Sequence, residues 1–168
     1  MEIITKSQPA GRYILLAYSA GARVTFEVAN ALENSGYEVS DIILVDSFWP
    51  RKPTGQEADE FVVKNIEKYL EESGVEFLKE TIIGKVIKYR GYFTTPYKPG
   101  EVNADVHLIL SEENIDAPQA RCWEQFTTKK SIIYRGIGEH HEMMTPGAAA
   151  KNARIIQEIV EQGDQNPT

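Results

Sequence analysis

Two short apolar runs on either side of a helical stretch constrain the fold of this chain most. Residues 12–18 (RYILLAY) and 41–46 (DIILVD) each have the length of a strand, and apolar residues recur with helical spacing at 20–34. A strand, a helix and a second strand in this order predict a βαβ unit with two parallel strands. The Val and Ile content of the second run is typical of a strand covered on both faces.

The rest of the chain continues this pattern with one interruption. The further predicted elements are helices at 56–72 and 75–90, strands at 105–110 and 131–135, and a helix at 147–162. A Pro- and Gly-rich stretch at 94–100 (TTPYKPG) closes the two middle helices. We therefore predict a single domain over residues 1–168. Its fold is α/β, a mostly parallel sheet flanked by helices, with a helical lid insert at about 50–98.

The apolar residues of two helices predict which side faces the sheet. For the helix at 20–34 they are Val24, Val28, Ala31 and Leu32. For the last helix they are Ala150, Ile155, Ile156 and Val160. Gly36 is predicted to end the first of these helices, because glycine readily adopts the left-handed conformation found there.

Charge and cysteine content disfavour several classes of function. A net charge of −7 and a pI near 5.1 argue against non-specific binding to nucleic acid or to an anionic membrane, both of which need a basic surface. No apolar run approaches the roughly 20 residues that span a bilayer, and no signal peptide is visible. The single cysteine, Cys122, cannot form an internal disulfide. We predict a cytoplasmic protein in which this cysteine is a small buried residue.

Ser19 lies where the first strand passes into the first helix, in the sequence Ala17-Tyr18-Ser19-Ala20-Gly21. A tight strand-to-helix turn with small neighbours pushes a serine outward, as in a catalytic nucleophile. The start of the helix also directs backbone N–H groups at a developing oxyanion, and we predict the N–H of Ala20 as the first donor. The alternative is a serine that only caps the helix.

Asp46 and His140 are predicted to reach the same edge of the sheet as Ser19. Asp46 ends the second strand, and His140 follows the last strand. Sites in open parallel sheets form at the carboxyl ends of the strands, so we predict Ser19, Asp46 and His140 as nucleophile, acid and base. Their order along the chain is that of α/β-hydrolases. An aspartate that merely ends a strand is the alternative for Asp46.

The other histidines have weaker claims to a role in catalysis. His141 is the competing base, and with His140 and Glu142 it raises the possibility of a metal site. We predict no metal, since adjacent histidines point in different directions and no HExxH pattern occurs. His107 lies in the middle of a strand and is predicted to be a packing residue.

Aromatic residues beside the predicted nucleophile and acid are candidates for substrate binding. Tyr18 precedes Ser19, and Phe48 and Trp49 follow Asp46 closely. The insert at about 50–98 begins at the same edge and is predicted to be a lid over an acyl pocket. Its alternative is a second packed layer with no such function.

Two segments of the chain resemble a known family. The run LLAYSAGARVTFEVANALENSGYEVSDIILVDS is similar to the nucleophile elbow, helix and acid-bearing strand of type I thioesterase domains of non-ribosomal peptide synthetases, which are α/β-hydrolases. The segment RGIGEHHEMM resembles that family's histidine segment and assigns the base position to His140 rather than His141. Ala17 departs from the GxSxG elbow, where it replaces the first glycine.

The resemblance also implies N-terminal strands that this sequence lacks. The family begins with several strands and a helix before the elbow, on the order of 60 residues if counted as two βαβ-sized units. That part supplies a second oxyanion donor and the strand beside residues 12–18. We therefore expect residues 12–18 to form an edge strand, in a truncated chain or one that another polypeptide completes.

By resemblance, the chain is a serine thioesterase that releases a peptidyl chain from the phosphopantetheine thioester of a peptidyl carrier protein domain. Release proceeds through an acyl-Ser19 intermediate, by hydrolysis or macrocyclisation. The enzyme itself needs no cofactor, because the phosphopantetheine belongs to the carrier. Two alternatives remain open: a stand-alone editing thioesterase or other serine esterase, and a catalytically impaired fragment that only binds a partner.

Overall fold

The computed structural model describes residues 2–47, 79–94 and 98–165. The chain divides into two compact units, one formed by residues 1–49 and 99–168 and the other by residues 50–98. The first unit contains the sheet. The second contains a helix at Lys79–Thr94, within the predicted insert. The predicted helix at 56–72 lies outside the described residues.

The first unit is built on a four-stranded sheet in which every neighbouring pair is parallel. The strands, in both chain order and spatial order, are β1 Tyr13–Tyr18, β2 Val39–Val45, β3 Asp105–Leu110 and β4 Ser131–Arg135. The predicted bounds of β3 and β4 are confirmed, and β2 begins slightly earlier than predicted. In the described part of the chain β1 is an edge strand, as expected.

The helices described in the first unit are α1 Glu2–Ser7 and α2 Ala22–Asn34, followed by the last helix, α4 Pro146–Gln165, with 3-10 segments at Ser19–Gly21 and Pro118–Phe126. The helix of the second unit, Lys79–Thr94, is α3. Gly36 has a φ of 83° just beyond α2, which confirms its predicted role in ending that helix. None of the helices in the described residues combines the length and apolar character needed to cross a membrane.

The core lies on both faces of the sheet, and β2 contributes to each. Ile42 and Leu44 belong to the cluster that contains residues of α2, whereas Ile43 and Val45 pack with Ile159 of α4. This alternation follows from the two-residue period of a strand. Because both faces of β2 are covered, its second half, residues 42–45, is a continuous apolar run.

The prediction for the inner face of α2 was partly wrong. The buried residues of the helix are Ala22, Thr25, Phe26, Ala29 and Leu32. Val24, predicted to face inward, is 49% exposed. The rotation of the helix is instead set by Phe26, whose ring stacks on Trp123 with centroids 5.1 Å apart and an angle of 15° between the planes.

In α4 the prediction was also partly wrong. Ile159 is buried, although it was not predicted to be, and Ala150 is exposed. A large side chain gains more from burial than an alanine, so Ile159 determines which side of the helix faces the sheet. Cys122 is half-buried rather than fully buried.

Candidate active site

Ser19 sits on a strained turn directly after β1. Its φ is 54°, in the left-handed region that non-glycine residues rarely occupy, at a typical cost of about 1–3 kcal/mol. The turn is also crowded, because a Cβ placed on Gly21 would lie 3.3 Å from the Cβ of Ala17. The methyl group of Ala17 is therefore accommodated by the glycine at position 21. This strand-to-helix geometry is that of a nucleophile elbow.

Asp46 lies just beyond the end of β2 and is completely buried. Its φ of 45° is also left-handed, and its backbone N–H donates to the carbonyl of Ile109 over 2.8 Å. The backbone N–H of Ser111 donates to Oδ1 over 2.8 Å. Oδ2 accepts from Asn114 Nδ2 over 3.0 Å and from His140 Nδ1 over 2.7 Å. These bonds compensate the cost of removing the carboxylate from water.

His140 connects the other two predicted residues. Its Nδ1–H donates to Asp46, which leaves Nε2 as the acceptor for the hydroxyl of Ser19, and the Nε2–Oγ distance is 3.0 Å. The imidazole is therefore held in the tautomer that a general base requires. The side chain of His140 is 33% exposed, so one part of it faces solvent. His141, the competing candidate, is exposed.

Tyr18, predicted to bind substrate, lies against the imidazole of His140. The two rings stack with centroids 5.2 Å apart and an angle of 19° between the planes. The hydroxyl of Tyr18 donates to the backbone carbonyl of His140 over 2.6 Å. Burial, followed by the negative charge of Asp46, raises the pKa of the Tyr18 phenol, which keeps the hydroxyl protonated as a donor.

Comparison with known proteins assigns the chain to a family. Residues 1–160 match the family described as the thioesterase domain. The chain belongs to the thioesterase domain family. This confirms the resemblance seen in the sequence and identifies a hydrolase domain of the thioesterase type.

Similar proteins include peptide synthases. The thioesterase domain is 32% identical over 182 residues to tyrocidine synthase 3 of Brevibacillus parabrevis. It is 32% identical over 165 residues to surfactin synthase subunit 3 of Bacillus subtilis (strain 168). Each match covers 95% of this chain, but the chain spans only 3% of the first relative and 13% of the second.

A solved structure supports the same fold. It is that of SrfTE, the thioesterase domain that cyclises the lipopeptide antibiotic surfactin, and it is 30% identical to this chain. The TM-score is 0.75, and the match covers 95% of this chain and 72% of that one. The predicted α/β fold, with a parallel sheet flanked by helices, is confirmed.

Three further residues bind the candidate triad residues and were not predicted. Ser111 and Asn114 bind Asp46, and the carboxylate of Glu113 accepts the backbone N–H of His140 over 2.8 Å. They lie in the sequence SEEN, immediately after β3. The rule applied to Ser19 and Asp46, that residues after a parallel strand reach the same edge of the sheet, places this segment near the site but does not indicate which of its residues bind Asp46 or His140.

The remaining predicted site residues are located as follows. Ala20 directly follows Ser19 in the 3-10 turn, and its role as an oxyanion donor remains a prediction. Phe48 and Trp49 lie outside the described residues. Within the described ranges, no group of three or more His, Cys, Asp or Glu side chains has the arrangement of a metal site.

His107 belongs to a second hydrogen-bonded cluster, away from the carboxyl ends of the strands. It is buried; its Nε2 lies 3.0 Å from Oδ1 of Asp41 and its Nδ1 lies 3.1 Å from the hydroxyl oxygen of Tyr134, both within hydrogen-bonding distance. Burial alone would raise the pKa of Asp41. The hydrogen bonds from His107 and Ser40 and the charges of His107 and Arg12 outweigh it and hold that pKa below the ordinary 3.8.

Proposed function

We propose that this thioesterase domain releases a peptidyl chain from the phosphopantetheine thioester of a peptidyl carrier protein domain. The observation that carries the proposal is the continuous hydrogen-bonded series from Ser19 Oγ through His140 to Asp46. A serine hydroxyl in contact with a correctly oriented imidazole is an activated nucleophile for acyl transfer.

In the first step Ser19 attacks the thioester carbonyl. The hydroxyl proton passes to His140 Nε2, and a bond forms between Oγ and the carbonyl carbon. The oxyanion accepts from the N–H of Ala20, and Asp46 stabilises the imidazolium through Nδ1. The carbon–sulfur bond then breaks, His140 returns the proton to the departing phosphopantetheine thiolate, and a peptidyl ester of Ser19 remains.

In the second step a nucleophile removes the peptide from Ser19. His140 takes a proton from water, or from an amine or hydroxyl of the peptide itself, and a new bond to the carbonyl carbon forms. The ester bond then breaks and His140 returns the proton to Ser19. Water gives a linear acid and an internal nucleophile gives a ring, so exclusion of water from the acyl-enzyme favours ring closure.

The substrate class is supported by the character of the relatives. SrfTE cyclises the lipopeptide antibiotic surfactin, and surfactin synthase subunit 3 is one of the similar proteins. We propose a comparable role for this chain in antibiotic biosynthesis, with phosphopantetheine as the arm of the carrier and no cofactor resident in the enzyme. We place the reaction in the cytoplasm, in keeping with the free thiol of Cys122.

A fluorophosphonate probe tests the proposed nucleophile and base. We expect the wild-type chain to be labelled and Ser19→Ala to remain unlabelled. His140→Ala should reduce the labelling rate by about 10⁴-fold or more, because members of a triad act as a unit. His141→Ala is the matched control and should label at nearly the wild-type rate. Absence of labelling in well-folded wild-type protein would contradict the proposal, and the reverse result for the two histidines would move the base to His141.

The substrate class needs a separate measurement. Product release is compared for a peptide loaded on a carrier protein and for a short acyl thioester of a small thiol. Faster turnover of the carrier-bound peptide supports the proposal. Faster turnover of the short acyl thioester would instead identify an editing thioesterase or another serine esterase with the same triad.

A further inference from the structure

The turn Ser111–Asn114, which follows β3, contacts both the predicted acid and the predicted base. Its first residue donates its backbone N–H to Asp46 Oδ1, and its last donates its side-chain amide to Asp46 Oδ2. Asn114 also donates to Ser111 Oγ over 2.9 Å. The two hydrogens on Asn114 Nδ2 can therefore serve these two acceptors, which fixes the amide within the turn.

The turn sets the rotation of the buried carboxylate of Asp46. One oxygen is held by Ser111, so the other is directed at His140 Nδ1. Asn114 shares that second oxygen with the imidazole. Because the carboxylate has no exposed surface, these donors take the place of water around it. A change in the turn would therefore alter both the orientation of the acid and its attraction for the imidazolium.

The same turn also holds the backbone beside the base. The Glu113 carboxylate accepts the N–H of His140 over 2.8 Å, and the N–H of Glu112 donates to the carbonyl of Gly138 over 3.2 Å. On its other side, the carbonyl of His140 is held by the hydroxyl of Tyr18. The peptide groups on both sides of the His140 Cα are thus fixed, one by the turn after β3 and one by the residue that ends β1.

We infer that the turn Ser111–Asn114 is the positioning element of the active site: Ser111 and Asn114 orient the acid, and Glu113 anchors the base. These residues act through Asp46 and His140 and are positioning residues, not catalytic ones. The inference rests on the proposed catalytic roles of Ser19, Asp46 and His140.

The test compares fluorophosphonate labelling rates of the full chain with the variants Asn114→Ala, Glu113→Ala and Glu113→Gln. Glu112→Ala is the matched control, because it removes the same charge from an adjacent exposed position. We expect Asn114→Ala and Glu113→Ala to label about 10- to 100-fold more slowly, the change expected for loss of one hydrogen bond to a charged group. Glu113→Gln keeps an acceptor oxygen and should recover most of the rate.

The pH profile of labelling separates positioning from a general loss of structure. Without Asn114, Oδ2 of Asp46 interacts more strongly with the imidazolium, so the midpoint of the rise in labelling rate with pH should move to higher pH. Among the residues that the structure describes, the titratable groups that meet His140 from other elements include Asp46, Glu113 and Tyr18, and its own loop adds Glu139, His141 and Glu142. None of these groups is altered in Asn114→Ala.

The possible outcomes are distinct. An unlabelled wild-type chain would overturn the proposed function. A labelled wild type in which Glu113→Ala behaves like Glu112→Ala, or in which folded Asn114→Ala keeps the wild-type midpoint, would overturn the positioning role alone. If Asn114→Ala fails to fold, Glu113→Ala still decides, because Glu113 is exposed and makes its contact at the surface.

Discussion

Substitution of Gly136 by alanine should destabilise the thioesterase fold and disturb the loop that carries His140. A Cβ at this position would lie 2.3 Å from Cε of Met143, 3.0 Å from the carbonyl oxygen of Leu110 and 3.2 Å from Cγ2 of Ile109. The Met143 side chain is flexible but fully buried. The Leu110 oxygen cannot withdraw freely, because it accepts the backbone N–H of Gly136 over 2.7 Å.

Overpacking of this kind costs about 1–3 kcal/mol. In a domain of this size each kcal/mol lowers the unfolding temperature by about 2–4 °C. We therefore expect Gly136→Ala to unfold at a temperature lower by roughly 2–12 °C. Labelling by fluorophosphonate should also slow at temperatures where the variant remains folded, because the displaced segment leads to His140.

Gly147→Ala is the matched control for Gly136→Ala. In the described part of the chain, a Cβ built at Gly147, near the start of α4, meets no atom within 4 Å beyond its chain neighbours and the backbone of its own helix. This substitution should therefore be neutral or raise stability by up to about 1 kcal/mol. The measurement is thermal or urea unfolding of both variants and the wild type. Equal unfolding temperatures for Gly136→Ala and Gly147→Ala would refute the packing argument. If the strain lies at the contact with Met143, the double variant Gly136→Ala/Met143→Ala should lose less free energy of unfolding than the sum of the losses in the two single variants.

Three further predictions concern residues outside the reacting atoms. The pKa of Asp41 is held below 3.8 in the folded state, so its contribution to stability is complete above that value and is lost as the pH falls through the folded pKa. In urea unfolding at a series of low pH values, Asp41→Asn should therefore lose less free energy of unfolding than the wild type as the pH falls. Trp123→Phe removes the 3.0 Å donor to the buried carbonyl of Ser47 and should lower the free energy of unfolding by about 1–3 kcal/mol. Tyr18→Phe keeps the ring stacked on the imidazole but loses the bond to the backbone, so labelling should slow by roughly 2- to 10-fold with stability little changed.

The strands and the convergence of Ser19, Asp46 and His140 could be predicted from the sequence, because both depend on the pattern and order of the apolar runs. The runs at β3 and β4 are short, apolar and bounded by polar residues, so their limits could be predicted directly. The convergence of Ser19, Asp46 and His140 follows from a topological rule, since the carboxyl ends of parallel strands lie on one edge. Only the order of the strands was needed to place these residues together.

The rotation of α2 and the hydrogen bonds of the turn Ser111–Asn114 could not be predicted from the sequence, because both depend on contacts between residues far apart in the chain. Several sides of α2 carry apolar residues, so periodicity alone could not choose between Val24 and Phe26; the contact with Trp123, distant in the chain, decides it. The role of Asn114 likewise depends on hydrogen bonds to residues far away in sequence. No local pattern distinguishes such an asparagine from one that only ends a strand.

The close approach of Ala17 and Gly21 links the evolution of these two positions. The elbow has room for one methyl group between them, so alanine at both would force the turn apart by a few tenths of an ångström. An evolutionary exchange of the alanine and the glycine between the two positions would therefore proceed most easily through an intermediate with glycine at both. We therefore expect a pattern that accepts either small residue at each position and disfavours two alanines to recognise relatives better than a fixed pair of glycines.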